Sequence, residues 1–232
     1  MKSAIVLCSG GIDSITTAYY VKKHLKYKDI VILFFNYGQK SLFDERKASK
    51  SCSNNLGAKF KEISLPELKL LSASLINIGG KGKKLGRSDL KDTKKESKKW
   101  YVPCRNLIFL SYALGKAESL LLKEKKKSDI FIGFKCEGND SFPDATKEFI
   151  NRLNELSNIS TEGKFKIFAP LINKDKEDII IIGKKLGVNF KNTYSCYVER
   201  KIHCGQCLAC MLRKEGFYWS GFKDPTVYET EI

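Results

Sequence analysis

The sequence predicts an α/β protein: a Rossmann-like, doubly wound parallel sheet with a small cysteine-rich C-terminal appendage. Three observations predict it. Short apolar runs without internal polar alternation take turns with helix-periodic segments, as expected of strands buried on both faces. The first run stops at Ser9-Gly10-Gly11, directly before a helical pattern. Four cysteines fall within fifteen residues, Cys196 to Cys210, near the C-terminus.

The elements follow in order. Lys2 to Cys8 reads as a buried strand ending in Ser-Gly. Ile12, Ile15, Ala18, Val21 and Leu25 then keep helical spacing, with Tyr19 on the same face. Asp29 to Phe35 is a second buried strand, and Asn36-Tyr37-Gly38-Gln39 leaves its end. Ser41 to Asn55 reads as a helix that Gly57 can cap. Ala58 to Leu65 is a weaker strand. Pro103 opens a long apolar helix, Arg105 to Leu122. Asp129 to Gly133 is a strand, and Phe142 to Leu156 a helix entered at Pro143. Phe165 to Leu171 is a strand, and Lys176 to Leu186 a helix stopped by Gly187. There is no internal repeat and no second core. Residues 1–193 are therefore expected to form one domain, and residues 194–232 an appendage packed on it.

Length and composition narrow the classes. A chain of 232 residues buries roughly 70–75% of its unfolded surface, enough for a sizeable core. Lys2 and Ser3 lead straight into a short strand, which does not read as a signal peptide. No stretch approaches the ~20 apolar residues of a membrane span. A cytoplasmic location without membrane contact is expected. The net charge is +16, which suits either a solvated lysine-rich surface or an anionic partner. Part of it lies in 81–99, with nine basic and three acidic residues. That segment lacks apolar periodicity and reads as a mobile basic loop, with a lid or binding arm as the alternative.

The junction at Ser9-Gly10-Gly11 is placed to hold an anion. Parallel sheets bind ligands at the carboxyl ends of their strands. Glycines let the backbone approach closely, and the next helix presents unpaired N–H groups. Ser9 and Ser14 add hydroxyls. Asp13 has no place in a bare anion cradle, but it fits where Mg²⁺ bridges carboxylate and phosphates. Neither Gly-x-x-x-x-Gly-Lys-Ser/Thr nor Gly-x-Gly-x-x-Gly occurs here. The bland alternative is a tight turn with a capping serine.

In the tail, Cys196, Cys204, Cys207 and Cys210 have spacing that suits a closed tetrahedral zinc site of structural role. An iron–sulfur cluster or free thiols remain alternatives. His203 is not expected to be a ligand. Cys8 and Cys104 are read as packing residues, and Cys52 and Cys136 have no evident partner.

Several motifs occur in one order: Ser9-Gly-Gly-Ile-Asp-Ser14, Asn36-Tyr-Gly-Gln-Lys40, Tyr101-Val-Pro-Cys-Arg-Asn106, Phe142-Pro-Asp144 with Glu148-Phe149, Ala169-Pro-Leu171, and Cys196…Cys204-Gly-x-Cys-x-x-Cys210. Together they resemble the 7-cyano-7-deazaguanine (preQ0) synthase family of the ATP-pyrophosphatase (PP-loop) superfamily, from residue 4 to about 222. The resemblance implies an adenine nucleotide alpha-hydrolase-like fold and a carbon–nitrogen ligase of queuosine or archaeosine biosynthesis. ATP would activate 7-carboxy-7-deazaguanine as an acyl-adenylate, ammonia would give an amide, and a second ATP would drive dehydration to the nitrile. It implies ATP binding by Cys8, Ser9, Gly10, Gly11, Ile12, Asp13, Ser14, Ile15, Thr16 and Thr17, with Tyr37 and Gln39 at the adenosine half. Asp13, near Mg²⁺, and Arg105 would be catalytic. Arg105, Asn106, Glu137 and Asp144 would bind the deazaguanine acid. A helix-end ion pair is the alternative for Arg105, and a first-turn acid for Asp144. Tyr101 and Phe142 can stack on a purine or pack in the core. A homodimer is the expected assembly, free ammonia the expected nitrogen source, and a nucleic-acid partner is not expected.

The chain departs from the family pattern at Ser41 and along 135–146. Where the family reads Cys-Arg after Pro-Asp, this chain has Ala145-Thr146. An Asp position is Gly138, an Asn/His position is Lys135, and a histidine position is Ser41. The altered segment motivates one competing function, a diverged ligase that adenylates another carboxylate; the basic charge motivates a second, a tRNA-modifying enzyme, and a non-enzymatic zinc module is a third.

Overall fold

A computed structural model describes residues 2–80, 82–135, 142–198 and 202–229. Five parallel strands form one sheet in the order β3-β2-β1-β4-β5. They are β1 (Ser3–Leu7), β2 (Asp29–Asn36), β3 (Lys59–Ser64), β4 (Ser128–Phe131) and β5 (Ile167–Phe168). The central strand β1 is buried along its whole length, which is why it reads as an unbroken apolar run. It pairs Ile5 with Val31 on one side and with Ile130 on the other. The outer strands are shorter or more polar than expected. β3 is mostly exposed, with Phe60 and Ile63 half-buried, as suits an edge, and β5 pairs only two residues with β4 before Pro170.

Helices cover both faces. On one face lie α1 (Ile12–Tyr19), which continues into a π turn to His24, α2 (Leu42–Leu56) and α7 (Lys176–Lys185). Their side chains, among them Ile15, Cys52 and Ile179, pack with Ala4, Val6 and Ile32. On the other face, α5 (Arg105–Glu124) and α6 (Lys147–Ser160) bring Leu110, Ala113, Ile150 and Leu153 against Ile5, Leu33 and Ile130. α6 begins later than its sequence pattern. A 3₁₀ turn occupies Pro143–Ala145, and the Thr146 hydroxyl then accepts from Phe149 N at 3.0 Å as the N-cap.

Two expectations change. The basic segment is not a loop without structure. Short α3 (Leu75–Ile78) precedes it, a 3₁₀ turn spans Arg87–Lys91, and α4 spans Lys94–Lys98. Leu85, Thr93, Glu96 and Ser97 are buried, and Leu85 N donates to Gln206 O at 3.0 Å. Elements this short show no apolar period, because one or two anchoring residues hold each of them. Lys81 lies outside the described residues. The tail also carries a helix that the sequence reading missed, α8 (Leu208–Ser220). Its Leu208 and Met211 join one core and its Phe217 the other. Arg213 on α8 is 1% exposed. It donates to Asp224, Thr193 Oγ1 and Phe190 O at 2.7–3.2 Å. Among the described residues no helix is long and apolar enough to cross a membrane.

Candidate active site

The strand order reverses direction between β1 and β4, so a crevice opens where these strands end. The loop after β1 runs through Gly10, whose φ is +86°. A Cβ there would lie 2.6 Å from Glu45 O and 2.8 Å from the Ala48 methyl, so only glycine fits. Gly11 is the N-cap of α1 and receives no side-chain cap. The capping-serine alternative therefore fails: Ser14 Oγ turns back to Gly11 O at 3.1 Å. The first turn of α1 is left with N–H groups facing the crevice, the arrangement that binds anions. Across the crevice, Gly133 follows β4. A Cβ at Gly133 would sit 2.8 Å from Ser14 N, so the two loops are in van der Waals contact.

Two neighbouring cavities occupy the crevice. The smaller, about 190 Å³, is lined by Ser9, Gly11, Ile12, Asp13, Lys176 and Arg213 among others. The larger, about 310 Å³, has an aromatic lining that includes Phe35, Tyr37, Trp100, Phe109, Phe142 and Tyr197. Ser9, Asp13, Glu45 and Tyr197 border both. Of the expected nucleotide residues, Cys8, Ser9, Gly11, Ile12, Asp13, Ser14 and Tyr37 line one cavity or both. Ile15, Thr16 and Thr17 do not; they are buried on the core side of α1. Gln39 also turns inward. Its amide nitrogen donates to Phe35 O at 2.9 Å and Glu45 Oε2 at 3.0 Å, while its oxygen accepts from Tyr37 N at 2.9 Å.

The structure adds a cation that sequence reading missed. Lys176, at the start of α7, places Nζ 2.7 Å from both Asp13 oxygens. No local pattern links residues 163 positions apart; only the packing of α7 against α1 does. A second missed contact lies beneath the loop. The buried Cys52 thiol hydrogen bonds to Cys8 and holds the Cys8 thiol down at about 7. Cys104, expected to pack, is exposed. It has φ +53°, a left-handed conformation that costs a non-glycine residue about 1–3 kcal/mol. That kink starts α5 and brings Arg105 into the larger cavity.

Arg105 Nη1 donates to Tyr37 OH at 3.2 Å, and burial pushes the Tyr37 hydroxyl up to about 12. The ion-pair alternative for Arg105 does not hold among the described residues, since its hydrogen-bond partner is this neutral phenol. Asp144 does not compensate its own helix. Its Oδ2 accepts from Asn106 N at 3.0 Å, capping α5, and Asn106 Nδ2 donates to Asp144 O at 3.2 Å. Asp144 Oδ1 is buried without a partner among the described residues, and Asp144 itself lines neither cavity. Phe142 and Ala145, on either side of this turn, line the larger cavity, as does Lys135. Tyr101 stacks on Phe142 at 5.4 Å. Glu137 lies outside the described residues, as do Cys136 and Gly138.

In the tail, the four expected sulfurs lie within 4.8 Å of one another. Zinc–sulfur bonds of about 2.3 Å place tetrahedral sulfurs about 3.8 Å apart, so the cluster needs little closure to hold a metal ion. Cys204 N and Cys207 N donate to Cys196 Sγ and Cys204 Sγ at 3.4 and 3.2 Å. Such N–H···S bonds favour thiolates over thiols. His203 is not part of the cluster; its Nε2 accepts from Ser195 N at 3.0 Å. Tyr194 N donates to Gly10 O at 2.9 Å, joining the tail to the glycine loop.

Residues 3–221 match the family described as queuosine biosynthesis protein QueC. The 7-cyano-7-deazaguanine synthase of Methanococcus vannielii is 38% identical over 97% of this chain and 98% of its own length. That of Rickettsia felis is 36% identical over 98% of this chain and 100% of its own. Among solved structures, NMN synthetase from Francisella tularensis superposes with a TM-score of 0.46 at 14% identity, covering 96% of this chain and 78% of that one. With a family match over nearly its whole length and two full-length relatives above one-third identity, the chain belongs to the queuosine biosynthesis protein QueC family.

Proposed function

We propose that the chain is an ATP-dependent carbon–nitrogen ligase that converts 7-carboxy-7-deazaguanine and ammonia into 7-cyano-7-deazaguanine. The observation that carries this reading is the pair of adjoining cavities at the switch point. One is built from backbone and cations for phosphates, and the other from aromatic rings for a purine-like base. In this reading the α1 N-terminus, Ser9 and Lys176 hold the phosphates. Asp13 faces them and sets the Lys176 ammonium. As a single carboxylate already paired, it would hold Mg²⁺ only together with the phosphates. Arg105 offsets the negative charge of the acid and of its adenylate. Asp144, whose neighbours Asn106 and Ala145 line the base cavity, would offer its second oxygen to an N–H of the guanine-like edge. An orphaned buried acceptor costs about 1–3 kcal/mol, so a ligand donor there is favoured.

The four cysteines suit zinc in a closed structural site, with no position open for chemistry. We further propose that residues 194–232 act as a metal-pinned unit on the nucleotide-binding body, and that the enzyme works in the cytoplasm as a homodimer using free ammonia. A second reading rests on one observation. Lys135 and Ala145, both at departures from the family pattern, line the base cavity. That favours a ligase acting on a different carboxylate.

One assay separates the two. The purified, metal-loaded protein is given Mg-ATP, ammonium and 7-carboxy-7-deazaguanine. AMP, pyrophosphate and the deazaguanine mass are followed together. AMP with the nitrile is expected. AMP with the amide alone marks a half-reaction enzyme. No AMP from folded protein removes this acid as the substrate.

A further inference from the structure

Glu45 is a carboxylate without an assigned task. It lies on α2 and borders both cavities, as does Asp13. The two acids differ in their partners. Asp13 is held through both oxygens by the Lys176 ammonium. Among the described residues, Glu45 accepts only from neutral groups: Ser41 Oγ at 2.5 Å and Gln39 Nε2 at 3.0 Å. These bonds fix its direction without cancelling its charge. It lines both cavities, so a small solute held there can reach it.

We infer that Glu45, oriented by Gln39 and Ser41, forms the ammonium-binding site and takes the proton that turns ammonium into the nucleophile. This rests on the ligase reading above. The chemistry requires such a group. At neutral pH ammonia is present mainly as ammonium, which has no lone pair. The acyl carbon of an adenylate sits where the phosphate and base cavities meet, which is where Glu45 lies. Ammonium transfers one proton to the Glu45 carboxylate. The freed nitrogen lone pair forms the C–N bond, and the acyl C–O bond breaks, with AMP leaving on that electron pair. The nitrogen then loses a second proton to solvent, giving the neutral amide. Burial raises the Glu45 carboxyl above the ordinary carboxylate range, and the hydrogen bonds from Ser41 and Gln39 and the charge of Arg105 oppose the rise. A raised carboxyl is the stronger base.

The test is Glu45→Gln, with Glu45→Asp as the conservative partner. Acid-dependent ATP–pyrophosphate exchange reads adenylation, and product formation with ammonium or hydroxylamine reads the second step. Hydroxylamine is unprotonated at neutral pH and needs no base to become a nucleophile. In Glu45→Gln, exchange is expected to stay within about threefold of the parent. Ammonium-dependent turnover should fall about 100-fold or more, and hydroxylamine-dependent turnover less than about tenfold. Glu45→Asp should recover part of the ammonium activity. Unchanged ammonium turnover in Glu45→Gln overturns the assignment, and so does an equal loss in exchange and with both nucleophiles. A parent without acid-dependent exchange overturns the substrate reading and this inference together; a parent with exchange isolates the inference.

Discussion

The two ends of the crevice are built by different means. The end proposed for phosphates takes its backbone floor from one continuous stretch, Ser9 to Asp13, and is closed by Glu45, Lys176 and tail residues such as Tyr194 and Arg213. The end proposed for the base draws side chains from more places still, among them Phe35 on β2, Ile76 on α3, Trp100, Arg105 and Phe109 on α5, Lys135 after β4, Phe142 and Ala145 before α6, and Tyr197 in the tail. A backbone cradle needs particular φ angles and small residues, and these are written locally. A side-chain cavity needs shapes that meet from a distance, and many sequences can supply them.

This contrast can be tested, beginning with the largest effect. Cys210→Ala removes a sulfur from the buried cluster, and Arg213 and Phe217 follow on the same helix. Metal content by mass spectrometry should fall from one ion per chain to none. Stability should drop by about 3–5 kcal/mol, roughly 6–20 °C in a calorimetric melt. If exchange activity survives below the new transition, the phosphate end is independent of the tail, despite the bond from Tyr194 to Gly10.

Gly10→Ala comes next. Positive φ and a Cβ 2.6 Å from Glu45 O should cost about 2–4 kcal/mol in urea unfolding. Nucleotide-dependent exchange should be lost with it. Lys176→Met then probes the cation of the phosphate end. Turnover at limiting ATP should fall about 100-fold, with cooperative unfolding retained. An effect confined to stability would make the Lys176–Asp13 pair a mere clamp between α1 and α7.

Thr146→Ala tests the base end, at a position where the family pattern carries arginine. Loss of the α6 N-cap should cost about 1 kcal/mol. The Michaelis constant for the acid should not move, because Thr146 caps a helix and does not line the cavity. A shift in that constant would place Thr146 on the substrate. Gly11→Ala is the smallest perturbation of the fold. Its backbone is extended, and a Cβ meets ordinary contacts at 3.6 Å. Stability should hold or rise by about 0.4–1 kcal/mol. The Michaelis constant for ATP should still rise if phosphate approaches this backbone closely.

How legible each part was follows from how it is built. The central strands β1 and β2 and the helices α2, α5 and α7 were readable because burial on both faces, or on one stripe, imposes a period. The edge strand β5 shrank because one neighbour and Pro170 leave it little to pair with. The segment 82–99 misled because Leu85 and Trp100 anchor it singly, without a repeat. In α8, cysteine spacing drew attention to metal and away from the Leu208, Met211 and Phe217 pattern. Gln39 reads as a ligand contact beside Tyr37, yet its amide is used to hold Glu45.

The amino-acid order by itself determined the parallel α/β fold, the glycine turn at Ser9 to Ser14 and the cysteine cluster. Each depends on neighbours close in the chain or on a regular period. Tertiary packing alone decided that Lys176 neutralises Asp13, that Cys52 meets Cys8, that Asp144 caps α5 with one oxygen unpartnered among the described residues, and that Glu45 stands between the cavities. These are meetings of side chains dozens of residues apart. Their geometry depends on how the helices seat on the sheet, which no local spacing records.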